Sequence, residues 1–306
     1  MPEPVTVTLG DNQYGKAEVR LVRIARDTPR HEIEDLTITT QLRGAQLADS
    51  YLTGDNSRVL ATDTQKNTVY AFAREHGVRS PEEFLLRLGR HFMASFDWYD
   101  GGTLSAEQHA WSRIGVDGRE HDHAFVRAGQ ETRTAVVQFD GQGAHVLAGL
   151  TDLTVLKSTG SEFHGFPRDR YTTLAETDDR ILATSVTARW RYVPSAVEAG
   201  FDFDAVYAGI RDRMLSTFAE LHSLALQQTL FAMGRAAIEQ FPMIAEVRFA
   251  MPNKHHFLVD LAPFGLDNPN EVFVAADRPY GLITGTVMQD GVPEAPDAWR
   301  SVPGFV

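Results

Sequence analysis

The sequence predicts an α+β fold made from two tandem copies of one unit. Three observations predict it. Period-two alternation of apolar and polar residues marks strands with one wet face, and apolar stripes at steps of four mark helices. The order strands, two helices, strands then occurs twice along 306 residues. Helices laid on one face of an antiparallel sheet leave its other face open, so sheet stacking within or between chains, and hence an oligomer, is expected.

In the first half, Leu36, Ile38 and Leu42 take even positions while Asp35, Thr37, Gln41 and Arg43 take odd ones, a strand over Asp35–Arg43. Thr64–His76 reads as a helix with Val69, Phe72 and Ala73 on one face and Gly77 at its C-terminal cap. Ser80-Pro81-Glu82-Glu83 supplies an N-cap serine, a proline at the first helical position and a capping-box glutamate. Phe84, Leu88, Phe92 and Phe96 follow as one stripe. Strands are expected over Gly102–Val116, Phe125–Ala128, Thr132–Phe139 and Val146–Leu156. In the second half, Val186, Ala188, Trp190 and Tyr192 alternate with Ser185, Thr187, Arg189 and Arg191. One helix is expected from about Asp204, with Val206, Ile210, Met214 and Phe218 at steps of four, and another from about Ser223 to Pro242. Strands return at Ala245–Phe249, His255–Leu261, Val272–Val274 and Leu282–Met288. The expected domains are 10–145 and 146–290, with a tail over 291–306.

Composition narrows the chemistry. With 29 Lys+Arg against 41 Asp+Glu the net charge is −12, which opposes binding to nucleic acid or to anionic membranes. The absence of cysteine excludes disulfides, zinc–thiolate sites, iron–sulfur clusters and a cysteine nucleophile. No apolar run approaches the roughly 18 residues that a spanning helix needs. Met1-Pro2-Glu3-Pro4 does not read as a secretory leader, nor Pro303-Gly304-Phe305-Val306 as a peroxisomal tripeptide or prenylation box, so a cytoplasmic location is expected. Familiar motifs fail. Gly141-Gln142-Gly143 lacks the third glycine of a dinucleotide loop, Lys157-Ser158-Thr159 lacks the glycine of a phosphate loop, and His31-Glu32 lacks the second zinc histidine. His121-Asp122-His123 reads as a solvated turn, and no Gly-x-Ser-x-Gly elbow is present. No metal site is expected.

Several residues remain as candidates. Asn253 and His255, two apart in an expected strand, project from one face, and Phe257 continues it. Spacing alone favours a structural histidine there. Tyr14-Gly15-Lys16 opens the first strand; a lysine at such a mouth is a surface charge, or a base if desolvated. Val59–Thr64 places Thr62 and Asp63 just before a helix, which capping explains, although a helix N-terminus also offers N–H donors to an anion. Arg180 follows Thr177-Asp178-Asp179 and reads as a surface partner of those acids. Gln227 reads as a first-turn polar residue, and Phe163, in a Gly/Ser-containing loop, as a plug over the core.

Six segments, in order along nearly the whole chain, resemble the urate oxidase (uricase) family. They are Tyr14-Gly15-Lys16, VLATDTQKNTVY over 59–70, LTVLKSTGSEFHGF over 153–166, RDRYTTLAETDDRILA over 168–183, LQQTLF over 226–231 and PNKH over 252–255. The resemblance implies paired tunnelling-fold (T-fold) domains, ββααββ in order, four subunits stacked into a barrel with a central tunnel, and active sites between chains. It implies a Lys16, Thr62 and His255 proton relay, with Phe163 as aromatic lid and Arg180 and Gln227 as clamp. Leu174 would be a pocket wall, the backbone amides of Asp63 and Leu226 would touch the purine, and Asn253 would hold oxygen or water. Leu226 stands where some relatives have valine, and His164 replaces a tryptophan and is given no role. The implied reaction oxidises urate with O2 and needs neither metal nor flavin. The alternatives are a purine- or pterin-binding protein without turnover, and another tunnelling-fold enzyme such as a pterin-pathway hydrolase or aldolase.

Overall fold

The first two strands, β1 (Tyr14–Ala25) and β2 (Glu32–Arg43), pair antiparallel in a computed structural model that describes residues 5–141, 143–197, 200–276 and 278–302. The terminal tetrapeptides read above for targeting signals, and Gln142 of the glycine pair, lie outside the described residues. A short helix α1 (Ala48–Leu52) precedes α2 (Thr62–His76) and α3 (Pro81–Ser95). Next come β3 (Gly101–Gln108), a β4 (Trp111–Val116) and β5 (Arg119–Arg127) ribbon, β6 (Thr132–Asp140) and β7 (Gly143–Lys157). The chain divides into two compact units within β7, at Ala148 and Gly149, and the segment from Glu294 belongs with the first unit. The first unit's sheet order is β1-β2-β3-β6-β7, with β1–β2, β2–β3 and β3–β6 antiparallel. Helices α2 and α3 cover one face of it. Leu36, Ile38, Leu42, Val69, Phe84, Leu88 and Phe92 are fully buried there, and each such side chain contributes about 1.5–3 kcal/mol of hydrophobic stabilisation.

The second unit repeats the plan. After β7 come β8 (Leu182–Tyr192), α4 (Phe203–Glu220), α5 (Leu226–Gln240), β9 (Ile244–Asn253), a β10 (His256–Leu258) and β11 (Phe273–Ala275) ribbon, and β12 (Gly281–Met288). The sheet order is β7-β8-β9-β12, and β8–β9 and β9–β12 are antiparallel. In each unit the second of the two long helices, α3 or α5, is 15 residues long and its ninth residue is glycine. A Cβ on Gly89 would stand 1.8 Å from the Phe139 ring, and one on Gly234 would stand 2.6 Å from Val287. The absence of a side chain at the same place seats both helices on their sheets. The fold is therefore α+β with a duplicated unit, as the alternating periods predict.

Several expectations need correction. The strand read over Gly102–Val116 is two strands, because the backbone leaves the sheet after Gln108 and turns back as the β4–β5 hairpin; β5 also absorbs the Phe125–Ala128 strand. Phe96 lies beyond α3, in extended conformation, its ring tilted against Trp98 and edge-on to Tyr99. Ser80 caps α3 by accepting from Glu83 N at 3.2 Å, but the Glu83 carboxylate is drawn to Arg87 at 2.9 Å, so only half of the capping box forms. The face of the first sheet opposite the helices is polar. Arg20, Thr37, Thr39, Gln41, Thr103 and Ser105 line a hollow of about 500 Å3 on it.

Candidate functional site

In the first unit the candidates gather where β1 meets the start of α2. The β1–β2 register shifts between Lys16 and Val19, and Glu18 takes a left-handed φ of 56°, a bulge that re-aims the strand just past Lys16. A Cβ on Gly15 would stand 1.7 Å from Thr40 O, so only glycine lets the backbone lie so close beside Lys16. Buried hydrogen bonds tie this strand end to the α2 approach. Thr40 Oγ1 lies 3.4 Å from Lys16 N and donates to Gln65 Oε1 at 2.8 Å, while Gln65 Nε2 donates to Leu60 O. Tyr14 OH meets Leu60 O and, at 2.5 Å, Tyr99 OH; burial first, then Tyr99, pushes the Tyr14 phenol well up, so it remains a donor.

Helix α2 starts at Thr62, not Thr64, and the capping expectation for Thr62 and Asp63 fails. Its N-cap position is Ala61, which has no side-chain acceptor. The Asp63 carboxylate instead turns to Lys66 Nζ at 2.5 Å and to Asn67, and these partners, with a smaller contribution from Lys16, hold it below the usual carboxylate range. The N–H donors of the first turn are thus left without a side-chain cap.

In the second unit the candidates lie on a strip of loop. Phe163 exchanges backbone hydrogen bonds with Thr177 at 2.9 and 3.1 Å, and Ser161 bridges to Ser223. Arg180 N donates to Ser161 O at 2.8 Å and its Nε approaches Ser161 Oγ at 3.4 Å. The Arg180 guanidinium lies over the Phe163 ring, 5.0 Å from its centre. Phe163 is only part-buried and stacks on Phe166, so it is not a plug over the core. Nor does Arg180 make the expected acid pairing: Asp179 accepts from Thr159 Oγ1 and Gly160 N instead, and burial lowers the Arg180 pKa. His255 is held below the ordinary histidine value by burial, then by the Arg180 charge, then by His256, which favours a neutral imidazole. Helix α5 also starts without a side-chain cap, after Ala225 rather than at Ser223. Leu226 is its buried first residue and Gln227 its exposed second.

The single strand expected through Asn253 and His255 is interrupted. Strand β9 ends at Asn253, Lys254 N donates to Ala183 O at 2.8 Å, and β10 resumes at His256 in a separate ribbon with β11. His255 sits in the break, its ring stacked on Phe257 at 5.8 Å. Lys157 is no phosphate ligand. Its Nζ donates to Leu221 O at 2.5 Å and Ser223 Oγ at 2.6 Å, closing the C-terminus of α4.

The first unit thus brings Lys16, Thr62 and Asp63 together, and the second brings Phe163, Arg180 and His255 together, with Asn253 beside His255 and the start of α5 beside the strip. Leu174 is 54% exposed in the loop between Phe163 and Arg180. Sequence reasoning missed the supports: Gln65 under Lys16, and Ser161, Ser223 and Thr229 under Arg180. Ser223 and Thr229 hydroxyls meet at 2.8 Å, and no local spacing advertises such contacts. Among the described residues, Glu162, His164 and Asp178 also stand on the strip, with donor atoms within 4.8 Å of one another.

The Uricase family model matches residues 12–138 and 146–284. The chain is 60% identical over 299 residues to a uricase of Arthrobacter globiformis, covering 98% of this chain and 96% of that one. It is 38% identical over 282 residues to a uricase of Dictyostelium discoideum, covering 92% and 97%. The crystal structure of uricase from Arthrobacter globiformis superposes with a TM-score of 0.90 at 60% identity, covering 95% of this chain and 98% of that one. A uricase from Bacillus fastidious superposes with a TM-score of 0.79 at 27% identity, covering 92% and 94%. With two matched segments falling on its two repeated units and the agreement running nearly end to end, the chain belongs to the uricase family of enzymes.

Proposed function

We propose that the chain oxidises urate with O2 and water to 5-hydroxyisourate and hydrogen peroxide. The observation that carries this reading is the half-buried Arg180 guanidinium over the Phe163 ring, whose planar donors suit the edge of a flat purine anion while the ring stacks on its face. Gln227 adds a second edge contact, the N–H groups of Asp63 and Leu226 at the bare helix starts meet the anion, and Leu174 walls the pocket. Lys16, through Thr62 and with neutral His255, draws a proton from bound urate. The electron-rich dianion then reduces O2, held near Asn253 and Thr62, and a peroxide forms at C5. Hydrogen peroxide leaves and water adds in its place. The urate ring is itself the reductant, so no flavin or metal is assigned to the reaction.

The two halves of the site are proposed to meet between neighbouring chains of a homotetramer, built from tunnelling-fold domains over 10–145 and 146–290 that close into a barrel. The edge strands support assembly: β1 exposes Val22 and Ile24, and β12 exposes Leu282 and Met288. Among the described residues no helix is long and apolar enough to cross a membrane, and a cytoplasmic location is proposed. In chelator-treated protein, urate absorbance is expected to fall with one hydrogen peroxide formed per urate. Tight urate binding without turnover would instead make this a purine-binding protein.

A further inference from the structure

The strip that carries Phe163 has a second chemical face. Residues 161–163 run extended between two backbone bridges, Ser161 to Ser223 and Phe163 to Thr177, so Phe163 points one way while Glu162 and His164, on either side of it, point the other. On that reverse face, His164 Nε2 lies 3.0 Å from one Glu162 carboxylate oxygen and His222 Nε2 lies 3.3 Å from the other. Asp178 brings a carboxylate oxygen so that donors of Glu162, His164 and Asp178 all fall within 4.8 Å of one another. We propose that these residues, with His222 as a fourth donor, bind one divalent transition-metal ion of the zinc class behind the Phe163 strip.

Three features support this site. The two histidine contacts to Glu162, at 3.0 and 3.3 Å, match the roughly 3.3 Å between neighbouring ligands that stand about 2.0–2.1 Å from a tetrahedral ion, and Asp178 lies within 4.8 Å of Glu162 and His164. Two imidazoles with two carboxylates suit zinc, cobalt or nickel better than calcium or magnesium, which favour all-oxygen shells. The donors are also held in place before any ion arrives, because Glu162 N donates to Ser223 O at 2.9 Å beside His222, and Phe163 N donates to Thr177 O at 2.9 Å beside Asp178. An ion here would join three chain segments and stiffen the back of the strip. It belongs to none of the urate contacts proposed above.

Isothermal titration of chelator-stripped protein with zinc chloride, without urate, tests the site independently of the urate reading. One ion per chain is expected for the native sequence, with affinity at least tenfold weaker in His164→Ala and in Asp178→Asn. A His121→Ala/His123→Ala variant should bind as the native chain does, because those rings belong to β5 of the first unit and are not among the proposed donors. Zinc should also raise the thermal midpoint of the native chain and not that of His164→Ala. No stoichiometric binding, equal affinity in His164→Ala, or loss confined to the His121/His123 variant would each overturn the proposal.

Discussion

In the first unit the leading helix α2 starts bare after Ala61, while α3 is capped by Ser80. In the second unit the order reverses: α4 is capped by Asp202, whose carboxylate accepts from Ala205 N at 3.0 Å, and α5 starts bare after Ala225. The units share a plan down to the ninth-residue glycine of their second helices, so the exchange of caps is a departure from the repeat. A missing cap costs a helix about 0.5–2 kcal/mol. That cost falls on the two helices whose first turns hold Thr62 and Asp63, and Leu226 and Gln227, where free N–H groups can serve an anion. The surroundings differ too. The first unit offers an ammonium and a hydroxyl at a bulged strand end, groups for moving a proton. The second offers a desolvated guanidinium on an aromatic ring, groups for holding a planar anion, with the His255 imidazole as its proposed share in the relay.

If the units divide the work in that way, the largest effect should come from Lys16→Met. Turnover, measured as urate-dependent oxygen consumption, should fall by about 10²–10⁴, the usual size for a positioned proton transfer, with KM little changed. Next is Arg180→Gln, which removes charged hydrogen bonds worth about 1.5–3 kcal/mol and should raise the urate KM roughly 10- to 150-fold, with a smaller change in kcat. An Arg180→Gln enzyme with unaltered KM, or a Lys16→Met enzyme that loses affinity rather than rate, would erase the distinction.

A smaller effect probes what stands beneath Arg180. Ser223 Oγ is fully buried between Lys157 Nζ at 2.6 Å and Thr229 Oγ1 at 2.8 Å. Ser223→Ala leaves the half-buried Lys157 ammonium short of an acceptor, at a cost of about 1–3 kcal/mol. For a unit of this size that lowers the melting temperature by a few degrees per kcal/mol, roughly 2–4 °C. The loss should appear in thermal unfolding and, through the displaced strip, in the urate KM more than in kcat.

These supports mark the limit of what the sequence discloses. The helices were legible because Phe84, Leu88 and Phe92, or Ile210, Met214 and Phe218, repeat at the helical period and are buried for that reason. The Ser80-Pro81 start was legible because a cap is a local hydrogen bond. The Ser161–Ser223 bridge joins residues 62 apart, and the Lys157–Ser223 contact joins residues 66 apart. Nothing in their neighbourhoods records such pairings. The break at Lys254-His255 was hidden because either residue fits a strand, and the interruption comes from Lys254 N bonding to Ala183 O. The resemblance assigned Arg180 and His255 by position, but their electrostatic coupling required the folded unit.

That coupling gives the finest test. Burial, then Arg180, then His256 all lower the His255 pKa, so its imidazole is neutral above a value lying below the ordinary 6.5 or so. A neutral ring is what the relay needs to take up a proton, so kcat should hold as pH falls through 6.5 and decline only below it. The unfolded chain binds this proton more readily than the folded one, so this residue's contribution to stability is present above pH 6.5 and is lost as pH falls towards the lowered value. His256→Gln removes the weakest of the three influences, that of the neighbouring ring. The acid limb of kcat should then move to higher pH, towards the ordinary histidine value, while the plateau rate stays the same. A limb that stays in place would remove His256 from the electrostatics of the site. A native limb above 6.5 would mean that the titrating group is not a desolvated His255, and the second unit would lose its share in the proton transfer.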